Sequence, residues 1–205
     1  MLDEDTVEVL REVAHVGAGN ASKSLSQMTD RKIEVEFPSV KFVDITDLPE
    51  KFGGSSSLVT TIFLDVEMER PDKEEKSELG KLVFILEYES AKNLASYMTD
   101  SEPDMELTSM EESALKETGN IITGSCISAI TEYIDVKLYE EVPRLKRDFL
   151  GAIMEHFILP IAKDKEEVLV FKTKFNFDED VEAYFLFLFH PDAEEFLNQK
   201  LNSLA

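Results

Sequence analysis

Ser113, Glu117 and Asn120 follow one another at steps of four and three residues, and Pro143 lies 22 residues beyond the asparagine. On a helix, positions i, i+4 and i+7 share a stripe, so a hydroxyl, a carboxylate and a primary amide would point the same way. The trio has no strong nucleophile and no metal cage, which makes it poor equipment for catalysis alone. It is well suited to lending groups to another molecule's site. The carboxylate can grip a lysine, while the amide accepts and donates at once and can hold a water in line with an electrophile.

The same spacing occurs earlier in altered form as Glu8, Glu12, His15 and Pro38, again with 22 residues between the last two. Around it Leu10 faces Leu115, Val16 faces Ile121 or Ile122, and Gly19 faces Gly124, at an offset of 105. Further on, Leu82 to Leu86 with Ser90, Ala91 and Leu94 echo Phe185 to Phe189 with Asp192, Ala193 and Phe196, at an offset near 102. The chain reads as one domain, 1–205, made of two fused halves, 1–101 with the altered site and 105–205 with the intact one, each too large for a solenoid repeat.

Elements must hold these residues. Apolar positions Val9, Leu10, Val13, Val16 and Leu25 predict an amphipathic helix over 4–28, and its counterpart is predicted from Ser109 to Tyr133, with Leu115, Ile122, Cys126 and Ala129 on the core side. Glycines 17, 19, 119 and 124 each cost such a helix roughly 1 kcal/mol, which implies close packing against a neighbour. Strands are expected at 32–42, with Pro38 breaking it or placing it at an edge, and at 58–68, 81–88, 136–142, 167–177 and 181–189. Helices are expected at 90–98, capped by Ser90, at 146–161 and at 192–201; 70–80 reads as a charged turn and 100–104, with Pro103, as a linker. The phenylalanines between 171 and 189 read as sheet core, Met98, Met105 and Met110 as packing or linker residues, and His156 and His190 as structural. The pattern is α+β: a pseudo-two-fold tandem duplication with an antiparallel sheet flanked by helices, two of them long and site-bearing.

Composition sets the limits. With 205 residues, 43% of them hydrophobic, the chain can bury a full core. A net charge of −22 argues against nucleic acid or an anionic membrane as partner, and favours a cationic surface or solubility in high salt. The single cysteine, Cys126, excludes an intrachain disulfide and is expected to be inert, and no Cys/His cluster has metal-ligand spacing, so no cofactor is expected in the chain itself. The N-terminus lacks a basic or apolar leader and no stretch approaches the ~20 apolar residues of a membrane span, so a cytoplasmic location is expected. The internal pairing makes a monomer the simpler expectation.

The pattern of Ser, three residues, Glu, two residues, Asn, 22 residues and Pro resembles the signature of the CheC/CheX/FliY family of chemotaxis phosphatases. Segments 16–21 and 119–121 add to the resemblance, which covers nearly the whole chain and is greatest to the two-unit CheC branch. It implies hydrolysis of the phosphoaspartate on the response regulator CheY, whose receiver would bring Mg²⁺ and a lysine. By analogy Glu117 would dock on that lysine, Asn120 would orient the attacking water, Ser113 would support the stripe and Pro143 would shape the strand behind it. His15 cannot offer both an acceptor and a donor as an amide does, so the first site, Glu8, Glu12, His15 and Pro38, is expected to have lost most activity while still able to bind the regulator. Two alternatives stand beside this reading: an adaptor that chiefly binds the deamidase CheD, which the resemblance also implies, and a pair of docking ridges that buffer phosphorylated CheY without hydrolysing it.

Overall fold

The computed structural model describes residues 2–70, 75–102, 104, 106–162, 166–177 and 180–202. Helix α1 (Glu4–Thr29) starts at Asp3, whose carboxylate accepts the Thr6 N–H at 2.8 Å, and ends on Asp30 in the left-handed region. Strand β1 (Glu34–Asp44) leads through a 3₁₀ turn (Ile45–Asp47) and the short α2 (Leu48–Lys51) to the hairpin of β2 (Leu58–Met68) and β3 (Ser77–Glu87). Helix α3 (Tyr88–Thr99) closes the first half. The second half repeats the order with α4 (Ser109–Ile134), β4 (Leu138–Glu140), β5 (Arg144–Phe149), α5 (Leu150–Ile153), a π-helical turn (Met154–Ile158), α6 (Leu159–Ala162), β6 (Glu167–Asn176), β7 (Asp180–Phe189) and α7 (Pro191–Asn202).

The strands form one antiparallel sheet in the order β1-β6-β7-β3-β2-β4, with β5 also paired to β2. Exchange β1 with β4–β5, β2 with β6, and β3 with β7, and the order reads the same from the opposite edge. The pseudo-two-fold axis therefore passes between β3 and β7, and each half's first strand lies against the other half's second strand. Alternation along the strands sends Ile62, Leu64, Phe84, Phe171 and Phe185 into the core under α1, α3, α4 and α7, while Phe63, Val83, Ile85, Val170 and Leu186 meet α2 and the α5–α6 segment on the other face.

Both prolines of the repeated pattern occupy slips in register. The β1–β6 ladder gains one residue between Glu36 and Ser39, around Pro38, and the ladder on β2 gains one between Glu140, which faces Val66, and Arg144, which faces Phe63, around Pro143. Proline has no N–H to donate, so it belongs where a residue is left out of the ladder of an edge strand. The slip also flips side-chain parity: Val35 and Phe37 before it and Val40 after it all face the same core.

Four expectations need correction. Residues 146–149 belong to β5, not to a helix, because pairing with β2 extends the strand to Phe149 and helical geometry begins only at Leu150. Ser90 lies inside α3, which starts two residues earlier after Glu87 with no side-chain cap. Val16 is 58% exposed: the buried stripe of α1 runs through Val13, Ala14, Gly17, Ala18 and Ala21, so Val16 corresponds to half-exposed Ile121 and not to buried Ile122. Met98 packs on the core, whereas Met110 is exposed in the first turn of α4; of the expected 70–80 turn, residues 77–80 are instead strand, because pairing with β2 starts β3 at Ser77, while 71–74, like Pro103 and Met105, lie outside the described residues.

Candidate functional site

Helix α4 is held on three sides. A Cβ on Gly17 of α1 would stand 2.9 Å from the Cys126 Cα, so the two long helices touch backbone to backbone there. A Cβ on Gly119 would meet the Ile62 side chain at 2.9 Å, which seats α4 directly on β2, and one on Gly124 would meet Glu140 Oε1 at 2.9 Å. The glycines expected to mark close packing do so at these three positions; around Gly19 there is open space. Cys126 is buried in the helix contact, where burial, reinforced by Glu140, pushes its thiol up to about 12.

The N-terminus of α4 is fixed by a residue that the spacing argument did not single out. Glu111, 4% exposed, closes a capping box with Thr108: the Glu111 carboxylate accepts the Thr108 N–H at 2.7 Å and the Thr108 hydroxyl at 2.8 Å, and Thr108 Oγ1 accepts the Glu111 N–H. Its other oxygen accepts the hydroxyls of Ser96 and Ser101, both at 3.2 Å, which ties α4 to the end of α3. Thr108-x-x-Glu111 is a legible cap in the sequence, and it sets the rotational phase of everything that follows.

What remains free is the outward ridge. Ser113 and Glu117 are exposed and Asn120 is half-buried. Ser113 Oγ donates to the Ser109 carbonyl at 2.8 Å, so the hydroxyl is spent on its own helix. Glu117 and Asn120 have no hydrogen-bond or ion-pair partner among the described residues and stand ready for an external group. Glu140 of β4 adds a second carboxylate: although the residue remains solvent-accessible, packing over Gly124 raises its pKa and the nearby charge of Glu117 raises it further. The sequence carried one signal for it, since the first half has apolar Val35 at the equivalent offset.

The first ridge is arranged differently. Glu8, Glu12 and His15 are all exposed on α1, but Glu8 forms an ion pair with Arg11, which also donates to the Val40 carbonyl at 3.3 Å. Pro38 and Pro143 both lie in the strands beside their helices, at the register slips. Among the described residues no group of His, Cys, Asp and Glu could hold a metal ion, and no helix is long and apolar enough to cross a membrane.

This is a pseudo-symmetric α+β fold with a solvent-facing carboxylate–amide ridge on one of two paired helices. The X-ray structure of Thermotoga maritima FliY shares the fold over the full length of both chains, with a TM-score of 0.73 at 17% identity, and the middle domain of FliM from H. pylori shares it over 97% of this chain and 99% of that one, with a TM-score of 0.67 at 11%. The CheC-like family model matches residues 110–147, the stretch from the start of α4 into β5 that contains the intact motif and Glu140. The CheY-P phosphatase CheC of Bacillus subtilis is 28% identical over 203 residues, 95% of this chain and 92% of that protein. The chain is thus similar to the CheC-like family over that stretch, and to this relative over nearly its whole length.

Proposed function

We propose that this protein hydrolyses the aspartyl phosphate of a CheY-type response regulator in chemotaxis, using the α4 ridge. One observation carries the reading most: Glu117 and Asn120 share an exposed face and have no partner among the described residues, within the segment matched by the family. The name of the Bacillus subtilis relative supports the substrate. Glu117 pairs with a lysine of the receiver and sets the depth and rotation of the docked helix. Asn120 then accepts a hydrogen bond from water through its side-chain carbonyl and directs the oxygen lone pair at phosphorus. A P–O bond to the water oxygen forms as the P–O bond to the receiver's aspartate breaks, releasing inorganic phosphate, which carries or sheds to solvent the water's proton, and the free carboxylate. The receiver brings the Mg²⁺, so this chain supplies positioning, which alone can account for several kcal/mol of barrier. Ser113 and Pro143 act indirectly, by holding the helix surface and the strand beside it. The working unit is 105–205, with 1–101 as its altered copy.

The experiment is phosphate release from phosphorylated CheY. Glu117→Ala and Asn120→Ala should each lower the rate by about 100-fold or more, while His15→Ala changes it less than about twofold. A double variant at 117 and 120 with undiminished turnover removes the reading. The Glu8–Arg11 pair and His15 favour a second role for the first ridge, docking the phosphorylated regulator without turning it over. Phosphorylation-dependent binding that survives the double variant and is lost in Glu12→Ala supports it. An adaptor role toward CheD is the alternative that capture of CheD without phosphate release would favour.

A further inference from the structure

We propose that the cleft on the sheet face opposite α4, between β5, β2–β3 and the π-helical turn, is a binding site for a small phosphate ester bearing a flat ring, separate from the phosphatase ridge. The cleft has a volume of about 340 Å³ and is walled by Lys81, Arg144, Lys146 and His156 together with the rings of Phe63 and Phe157. That size lies at the lower end for small-molecule sites.

The charge is the first argument. The protein carries 43 acidic against 21 basic residues, yet three of those lysines and arginines and one of the three histidines converge here. Asp65 is shared between Lys81 and Arg144, and Glu141 is the other acid near Lys81. Lys146, facing the same side as Arg144 two residues along β5, has no partner among the described residues. Lys81 is held below its ordinary pKa, first by burial and then by Arg144, with Glu141 acting in the opposite direction. A guanidinium with two ammonium groups fits a phosphate dianion better than a single carboxylate does.

The second argument is shape. Phe63 and Phe157 have ring centroids 4.8 Å apart at an interplanar angle of 31°, and they offer an apolar wall beside the cations. His156 and Phe157 lie in the π-helical turn, a rare geometry that concentrates at functional sites. With His156 Nδ1 bonded to the Ala152 carbonyl at 3.0 Å, Nε2 is the nitrogen left for a ligand. The described residues 45–57 between β1 and β2 form no π-helical turn, so the cleft has no pseudo-symmetric copy built on one.

Amide chemical-shift titration of the full chain at low salt, with inorganic phosphate and with adenosine monophosphate as probes, tests this. Saturable shifts confined to residues 81, 144, 146, 156 and 157, tighter for the nucleotide, are expected. Lys146→Glu, on an exposed edge where folding should be preserved, should weaken both probes by about tenfold or more, while Glu117→Ala leaves them unchanged. Absence of saturation with either probe, shifts scattered over surface lysines, or a Lys146→Glu variant that titrates like the parent overturns the site. Equal affinity for the two probes overturns the ring contact.

Discussion

Gly17 and Gly19 sit two positions apart on α1 and should respond oppositely to a methyl group. At Gly17 it would press on the Cys126 backbone, which can yield only if the two long helices move apart. Gly17→Ala should cost about 1–3 kcal/mol. At Gly19 it would meet nothing within 4 Å, so Gly19→Ala should stabilise by roughly 0.5–1 kcal/mol through helix propensity. Urea unfolding of both variants checks the pair, and a shift of the same sign in each would contradict the packing described. At this scale the sequence was most informative where side chains point outward: the spacing of Ser113, Glu117 and Asn120 requires only helical geometry to place them together. On Glu140 it offered only the contrast with Val35, because that carboxylate reaches α4 from a strand whose register depends on a bulge, and no local pattern encodes a contact between elements so joined.

Helix α4 owes its start to Glu111. Its carboxyl is held below the usual range, first by the Thr108 N–H, then by the hydroxyls of Thr108, Ser101 and Ser96, which together outweigh its burial. The folded-state pKa is lower than the unfolded one, so this contribution is fully present above the ordinary glutamate range and is lost as pH falls through the folded value. Glu111→Gln should remove roughly 0.5–2 kcal/mol near neutral pH and flatten the acid limb of the stability curve; chemical denaturation at a series of pH values measures both. Of the elements, the long helices and the hairpins were legible because they carry strong periodicity. Strand β5 was not. Its sequence, Arg144-Leu-Lys-Arg-Asp-Phe149, is charged on both faces, and it is a strand only because β2 offers an unpaired edge. The start of α3 was missed for a related reason: the chain turns into the helix directly from a strand end, without the capping side chain that would announce it.

For the whole molecule, the decisive feature is the exchange of first strands across the pseudo-two-fold. In an isolated 105–205 fragment β6 would lose β1, β7 would lose β3, and β4–β5 would lose β2 altogether. Such a fragment should show no cooperative unfolding by circular dichroism, and mixing it with 1–101 should restore a transition; a sharp transition in either half alone would contradict the topology. Two copies of the pattern could be recognised from spacing alone, but their interleaving could not, because an antiparallel sheet built of two similar halves is equally compatible with each half pairing only to itself. Interleaving has a lasting effect on what substitution can do to this protein. The N-terminal half cannot be discarded whatever its own ridge does, since its outer strand is wall to the second half's sheet. Change is therefore confined to a few solvent-facing positions on α1, such as Glu8, Glu12 and His15, where side chains can be exchanged while the scaffold beneath them stays fixed.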